Sequence, residues 1–452
     1  MPCRIAAEPA SRLALSRRGF LAGAVAAVAV PQVIPASALG KDGQTAPSDR
    51  ITIGMLGVGN RGSSSLSAMR PLSEHQVVAI ADCRRERALR AQEQVNGFYA
   101  DRVGQQSFSG CQIYNDFRDL LARPDIDAVW GCVPDHWHAV VYSRAIEAGK
   151  DIYGEKPITR YIAHGVHVRD AVRRYGCVFQ TGTQQRSQVQ FRQACELARN
   201  GYLGKVHTID VGAPGGRAYP AEPPCDPPDG FDYDLWTGPA PFIPFDKKRC
   251  EWLAMYMISH YCAGFITNWG VHHLDIAGWG CPEVFDKAFE VQGAGVLPSE
   301  GMTDTWISWQ MELRWASGLK MNYSNIGNPC ESGCKFIGDE GWVRADRKGI
   351  WAEPASLLTV KLKPSDTHLH ASPDYPNPYT GHTADFFRSM RSRQDPVSPV
   401  EAGHAASTLG NVSDIALRLG RRLKWDPTQD RFVGDAEANA MLTQADRSPW
   451  TI

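Results

Sequence analysis

From residue 51 onward, short apolar runs alternate with stretches whose apolar positions recur at helical spacing. Residues 51–58 (ITIGMLGV) read as a buried strand, and 63–70 (SSSLSAMR) begin a helix. A second strand follows at 76–83 (QVVAIADC), then a helical 117–124 (FRDLLARP) and a further strand at 126–134 (IDAVWGCVP). Strands alternating with helices at this spacing predict parallel β-α-β units in a doubly wound sheet. Past residue 182 the pattern changes. Residues 205–213 (KVHTIDVGA), 305–315 (TWISWQMELRW) and 319–326 (LKMNYSNI) alternate apolar with polar, without intervening crossover helices. The Pro/Asp-rich 220–230 (PAEPPCDPPDG) reads as a surface loop, and 398–423 as an amphipathic helix or helix pair broken around Gly410. The fold class is therefore α/β, with a dinucleotide-type domain over 51–182 and a second α/β domain over 183–452.

The first strand runs into Gly57, Gly59 and Gly62, spaced G-x-G-x-x-G, with Asn60 and Arg61 between the last two. The first glycine permits a tight turn, the second lets backbone N–H groups approach a pyrophosphate, and the third lets helix and strand pack closely. Asp82 ends the second strand 20 residues after Gly62. A carboxylate there accepts from a ribose 2′-hydroxyl, which favours NAD. NADP stays open, because Arg84 or Arg85 can turn inward to meet a 2′-phosphate.

The first fifty residues differ in kind. Arg12, Arg17 and Arg18 precede an apolar run from Leu21 to Val30, followed by the small-residue sequence ASA at 36–38. Ten apolar residues are too few to cross a bilayer core of about 30 Å, so no membrane span is expected. The order of parts reads as an export signal over 1–38 with a linker over 39–50, and the twin arginine resembles a Tat signal, which exports folded proteins to the periplasm. A formal net charge of −1 excludes a general attraction to nucleic acid or to an anionic surface. Twelve cysteines without regular spacing, eleven after loss of Cys3, argue against a disulfide framework, and Cys330 and Cys334 lack the second ligand pair that a metal site needs.

Asp135-His136-Trp137-His138 follows a strand, and the next strand runs into Glu155-Lys156-Pro157. Here the chain resembles the Gfo/Idh/MocA family of oxidoreductases, whose hallmarks are an N-terminal glycine-rich turn and a central E-K-P. FDYDLWTGPAP (231–241), NWGVHHLDIAGW (268–279), FIGDEGWVRADR (336–347) and RLKWDP (422–427) extend the likeness to the bacterial subgroup with its own C-terminal domain type. The resemblance implies a Rossmann domain followed by an α/β domain with an open, mostly antiparallel sheet, and a homo-oligomer. It places Pro134, His138, Glu155 and Lys156 at the cofactor, with Lys156 beside the nicotinamide. It also makes His272 a proton carrier.

Oxidising a carbinol needs a group that handles the hydroxyl proton at neutral pH. An ammonium in a closed pocket next to a positive ring has its pKa pushed down, which suits Lys156 to polarise the oxygen or take the proton. Asn268, His272 and Asp275 lie at i, i+4 and i+7 and are expected on one helix face. Asn268 stands where the family commonly has an aspartate; an amide hydrogen-bonds a hydroxyl but takes up no proton, leaving Lys156 and His272 to do the acid/base work. Gln184, Arg186, Asn268, Asp275, Tyr233 and Trp236 are the candidate substrate contacts, the aromatic pair and Trp269 as stacking faces. No metal is expected.

These readings converge on a periplasmic NAD(P)-dependent oxidoreductase acting on a small carbohydrate: a sugar, polyol or glycoside. Outside the cytoplasm no NAD pool exists, so the cofactor must be retained and returned to its starting state in each cycle. Two alternatives stand beside it: an NAD-dependent glycosidase using transient oxidation at C3 and elimination, and a non-catalytic binding protein that keeps the nucleotide fold.

Overall fold

The computed structural model describes residues 49–452, so the expected signal and most of the linker lie outside the described residues. The first sheet has six strands: β1 (Ile51–Leu56), β2 (His75–Ala81), β3 (Gln112–Tyr114), β4 (Ala128–Gly131), β5 (Asp151–Gly154) and β6 (Phe179–Thr181). They pair in the order β3-β2-β1-β4-β5-β6, all parallel. Helices on both faces bury the central strands on both sides, which is why β4 and β5 show no polar alternation. The order reverses between β1 and β4, and a ligand crevice opens there beyond the carboxyl ends of the strands.

The second sheet has nine strands: β7 (Val206–Ala213), β8 (Phe289–Val296), β9 (Ser308–Trp315), β10 (Lys320–Asn325), β11 (Gly333–Gly338), β12 (Gly341–Asp346), β13 (Gly349–Glu353), β14 (Leu423–Asp426) and β15 (Arg431–Phe432). Their order is β13-β12-β11-β7-β10-β9-β8-β14-β15, antiparallel except for the β7–β10 pair. Along β9, Trp309, Met311, Leu313 and Trp315 are buried while Gln310 and Arg314 are exposed. One face thus packs on the helices Val189–Arg199, Val271–Gly280 and Val400–Leu419, and the other stays polar.

Two features differ from the sequence expectation. The helix Val400–Leu419 is continuous through Gly410. A Cβ at Gly410 would stand 2.9 Å from Thr267 Cα, so this glycine admits a neighbouring backbone rather than breaking the helix. The helix Pro378–Ser392 returns to the first sheet, where Phe386 and Phe387 join Ile53, Met55, Ile80 and Trp130 in one apolar cluster. The Thr380 hydroxyl donates to the Ala68 carbonyl, 3.0 Å, on the same side. The core of the dinucleotide domain therefore draws on residues far beyond position 182. The eleven described cysteines are all free, including Cys330 and Cys334.

Candidate active site

A cavity of about 560 Å3 opens at the strand-order reversal. The β1 turn supplies one wall. Gly57 has φ +82°, and a Cβ there would lie 2.7 Å from the Cys132 carbonyl oxygen. The helix Asn60–Met69 starts from Gly59 with no side-chain cap, so its first amides are free to meet an anion. Asp82 is anchored at the end of β2: its carboxylate accepts from Val58 N at 2.9 Å and from Arg84 N at 2.8 Å. Burial raises its pKa, and those two amides oppose the rise. A turn that only glycine fits, an uncapped helix start and a fixed carboxylate suit a dinucleotide along this wall.

Gly57, Gly59, Asn60, Arg61, Asp82, Pro134, His138, Glu155 and Lys156 all line the cavity. Gly62 does not; it lies buried beneath the Gly57 carbonyl, as a packing glycine. Arg61 Nε donates to Glu155 at 2.5 Å, and Gln184 Nε2 donates to the same carboxylate at 3.2 Å. Burial works against the Arg61 charge, but Glu155 outweighs it and the pKa goes up. The two ring nitrogens of His138 face the carbonyl oxygens of Pro157 and Val133, at 2.6 and 3.0 Å, tying the E-K-P turn to the loop after β4. Arg84 does not turn inward: its guanidinium lies 3.8 Å over the Phe231 ring. Arg87 lines the cavity instead.

On the opposite wall, Asn268, Trp269 and His272 face the same space, with Trp236 at one side. Asn268 sits in the turn before the helix Val271–Gly280, not on it. Lys156 Nζ donates to the Asn268 carbonyl at 2.7 Å and to its Oδ1 at 3.1 Å. Burial lowers the Lys156 pKa, and Asp135 and Glu155 resist that. His272 is 5% exposed, and its Nδ1 is buried without a partner among the described residues. Burial first, then the positive charges of Arg347 and Lys156, hold its pKa well below the usual histidine value, so the ring is neutral. His273 serves the core: its Nδ1 contacts the Gly212 carbonyl at 2.7 Å.

Three expected substrate contacts lie elsewhere. Arg186 and Asp275 form a buried two-pronged ion pair, at 2.8 and 2.6 Å, and neither lines the cavity. Asp275 is fully buried, and Arg186 spends its remaining reach on the Val397 carbonyl and the Trp279 ring. Tyr233 is 5% exposed and donates its hydroxyl to the Ile243 carbonyl at 2.7 Å; it backs Trp236 rather than facing the cavity. Sequence reasoning passed over Asp135, Tyr256, Arg347 and Tyr379, all of which line the cavity. Asp135 carried a signal, its place in the short segment beyond β4; Arg347, in the β12–β13 turn, carried none.

Residues 51–183 match the family model described as "Oxidoreductase family, NAD-binding Rossmann fold", and residues 331–452 match "Oxidoreductase family, C-terminal alpha/beta domain". The chain belongs to the Gfo/Idh/MocA oxidoreductase family. Among Gfo/Idh/MocA relatives, it is 24% identical to the myo-inositol 2-dehydrogenase of Thermotoga maritima over 380 residues, 82% of this chain and 98% of that one. A match of 29% identity to an uncharacterized oxidoreductase of Bacillus subtilis covers 36% of this chain and 44% of the relative, less than half its length. A glycosyl hydrolase family 109 protein of Shewanella baltica is 31% identical over 179 residues, 35% of this chain and 37% of that one. The fold is shared with scyllo-inositol dehydrogenase from Lactobacillus casei, solved with NAD(H) and scyllo-inositol: TM-score 0.56, 16% identity, 83% of this chain and 99% of that one. Residues 51–183 thus form a Rossmann domain of the NAD-binding type.

Proposed function

We propose that the protein oxidises a secondary hydroxyl of a sugar or polyol, and that it keeps its NAD through the cycle. When bound, NAD supplies the hydride acceptor for the carbinol carbon. The observation that carries this reading is a single cavity lined by Lys156, by the neutral His272 ring and by the glycine turn. An ammonium has three donors. Lys156 gives two hydrogen bonds to Asn268, and the third is left for the substrate oxygen. Neutral His272 takes the hydroxyl proton. Trp236, Trp269 and the exposed Trp252 add aromatic faces along the same cavity for the C–H side of a sugar ring.

Retention is supported by a strap from the second half of the chain. Asp232 N donates to the Cys83 carbonyl and Arg85 N to the Gly230 carbonyl, both at 2.9 Å, while Phe231 packs under Arg84. Residues 230–232 thus cover the chain just beyond Asp82, where the ribose is expected. Such retention suits a periplasmic enzyme exported with its cofactor in place. The match to the Shewanella baltica glycosyl hydrolase family 109 protein favours a second reading, transient oxidation followed by cleavage of a glycoside. The test is to purify the protein without added cofactor, denature it and identify released dinucleotide by mass. Near-stoichiometric NAD(H), with oxidation of inositols or aldoses, supports the proposal. A protein that arrives empty and binds neither nucleotide tightly removes retention. Release of free sugar from glycosides without net NADH would move the assignment to the second reading.

A further inference from the structure

Asn268 sits between two groups of opposite charge. Its Nδ2 donates to both oxygens of Asp135, at 3.1 and 2.9 Å, while its Oδ1 and carbonyl accept from Lys156 Nζ. This orientation of the amide is the one that both neighbours allow, because a carboxylate only accepts and an ammonium only donates. Asparagine is therefore matched to Asp135. An aspartate at 268 would place two carboxylates in contact, and one of them would be forced to hold a proton.

Asp135 opens the short turn Asp135–Trp137 beyond β4 and directly meets the turn that carries Asn268. It is 5% exposed, and Asn268 is 4% exposed. An isolated carboxylate at that depth is costly. Here its negative charge is answered by the ammonium on the far side of one amide. We propose that Asp135 is a positioning residue: through the Asn268 amide it orients Lys156 and keeps it a charged donor toward the substrate oxygen. This rests on the oxidoreductase reading above.

The charged and titratable groups acting on Lys156 are Asp135, Glu155, Cys262 and Arg61, and His272 also feels its charge. Asp135 and Glu155 favour the ammonium, Arg61 opposes it, and burial opposes it most. Removing the Asp135 charge leaves Glu155, already held by Arg61 and Gln184, as the main support.

The test is a titration of the Lys156 side chain by NMR of 13Cε-lysine in the full chain as purified, with Lys156→Arg identifying the signal and exposed Lys361 as the internal control. In Asp135→Asn the Lys156 midpoint is expected to fall by about one pH unit or more, with Lys361 unmoved. In the exchange D135N/N268D one carboxylate and one amide are kept, and the carboxylate now meets Lys156 directly, so the midpoint is expected at or above that of the parent. An unchanged midpoint in Asp135→Asn, with only a lower melting temperature, overturns the proposal. If that variant does not fold, the exchange decides, and a midpoint below the parent's overturns it. A shifted midpoint in a protein that neither holds NAD nor oxidises polyols would discard the functional reading and leave the coupling of Asp135 to Lys156 standing.

Discussion

At the residue scale, a buried neutral imidazole and a buried ion pair have opposite consequences. His272 lines the cavity as a neutral ring, whereas Arg186 and Asp275 are spent on each other. His272→Ala is expected to lower kcat by about 10^2–10^4, the usual range for a lost proton carrier, with cofactor content unchanged. Stopped-assay kinetics on the purified holoenzyme check this; a drop in KM-controlled binding alone would contradict it. Arg186→Met should act on stability instead. It leaves the Asp275 carboxylate buried and unpaired, a loss of about 3–5 kcal/mol in urea unfolding, largely regained when Asp275 is also made apolar. The Arg186–Asp275 pair is not legible in the sequence, because ion pairing at this depth depends on a contact 89 residues apart. Composition and spacing carry no trace of that contact.

At the element scale, the helix Val400–Leu419 and the turn carrying Asn268 meet at Gly410, and the strap 230–232 meets the end of β2. Gly410→Ala would push a methyl group into Thr267, one residue before Asn268. Overpacking of this kind costs about 1–3 kcal/mol, and the displaced turn should also weaken the Lys156 contact. Thermal melts with and without substrate analogues separate the two effects. Phe231→Ala removes the ring beneath Arg84 and is expected to speed NAD release into chelator-free buffer without altering the isolated catalytic groups; unchanged release would mean that the strap does not retain the cofactor. The parallel strands, the glycine turn and the loop at 220–230 were legible because each follows from local periodicity or turn chemistry. The continuity of the last long helix was not, since glycine at position 410 looks the same in sequence whether it ends a helix or admits a neighbour.

At the scale of the whole molecule, burial of histidines sets the response to acid. His136, His164, His273 and His382 are each held down to about 4 by burial, and His272 is held well below its ordinary value. In the unfolded chain these rings bind protons near the reference value of 6.5. The unfolded state therefore takes up more protons than the folded state between those limits, and stability falls as pH drops from about 6.5 toward 4. Above that window the contribution is fully present. Melting temperature against pH should show a decline beginning near neutrality; a flat profile down to the carboxylate range would show that these rings protonate in the folded state.

The sequence by itself determined the α/β class and the glycine turn of the NAD-binding fold at Gly57 to Gly62, and it singled out Asp82, Lys156 and His272, which the fold brings to one cavity. These are set by local backbone requirements and by residue types whose chemistry has few substitutes. Tertiary structure alone decided that Arg186, Asp275 and Tyr233 support the frame, that the helix Pro378–Ser392 completes the first core, and that Asp135 answers Lys156 across Asn268. Each depends on which distant side chains meet in a water-excluded space, where charges must find partners, and that is a property of the folded chain.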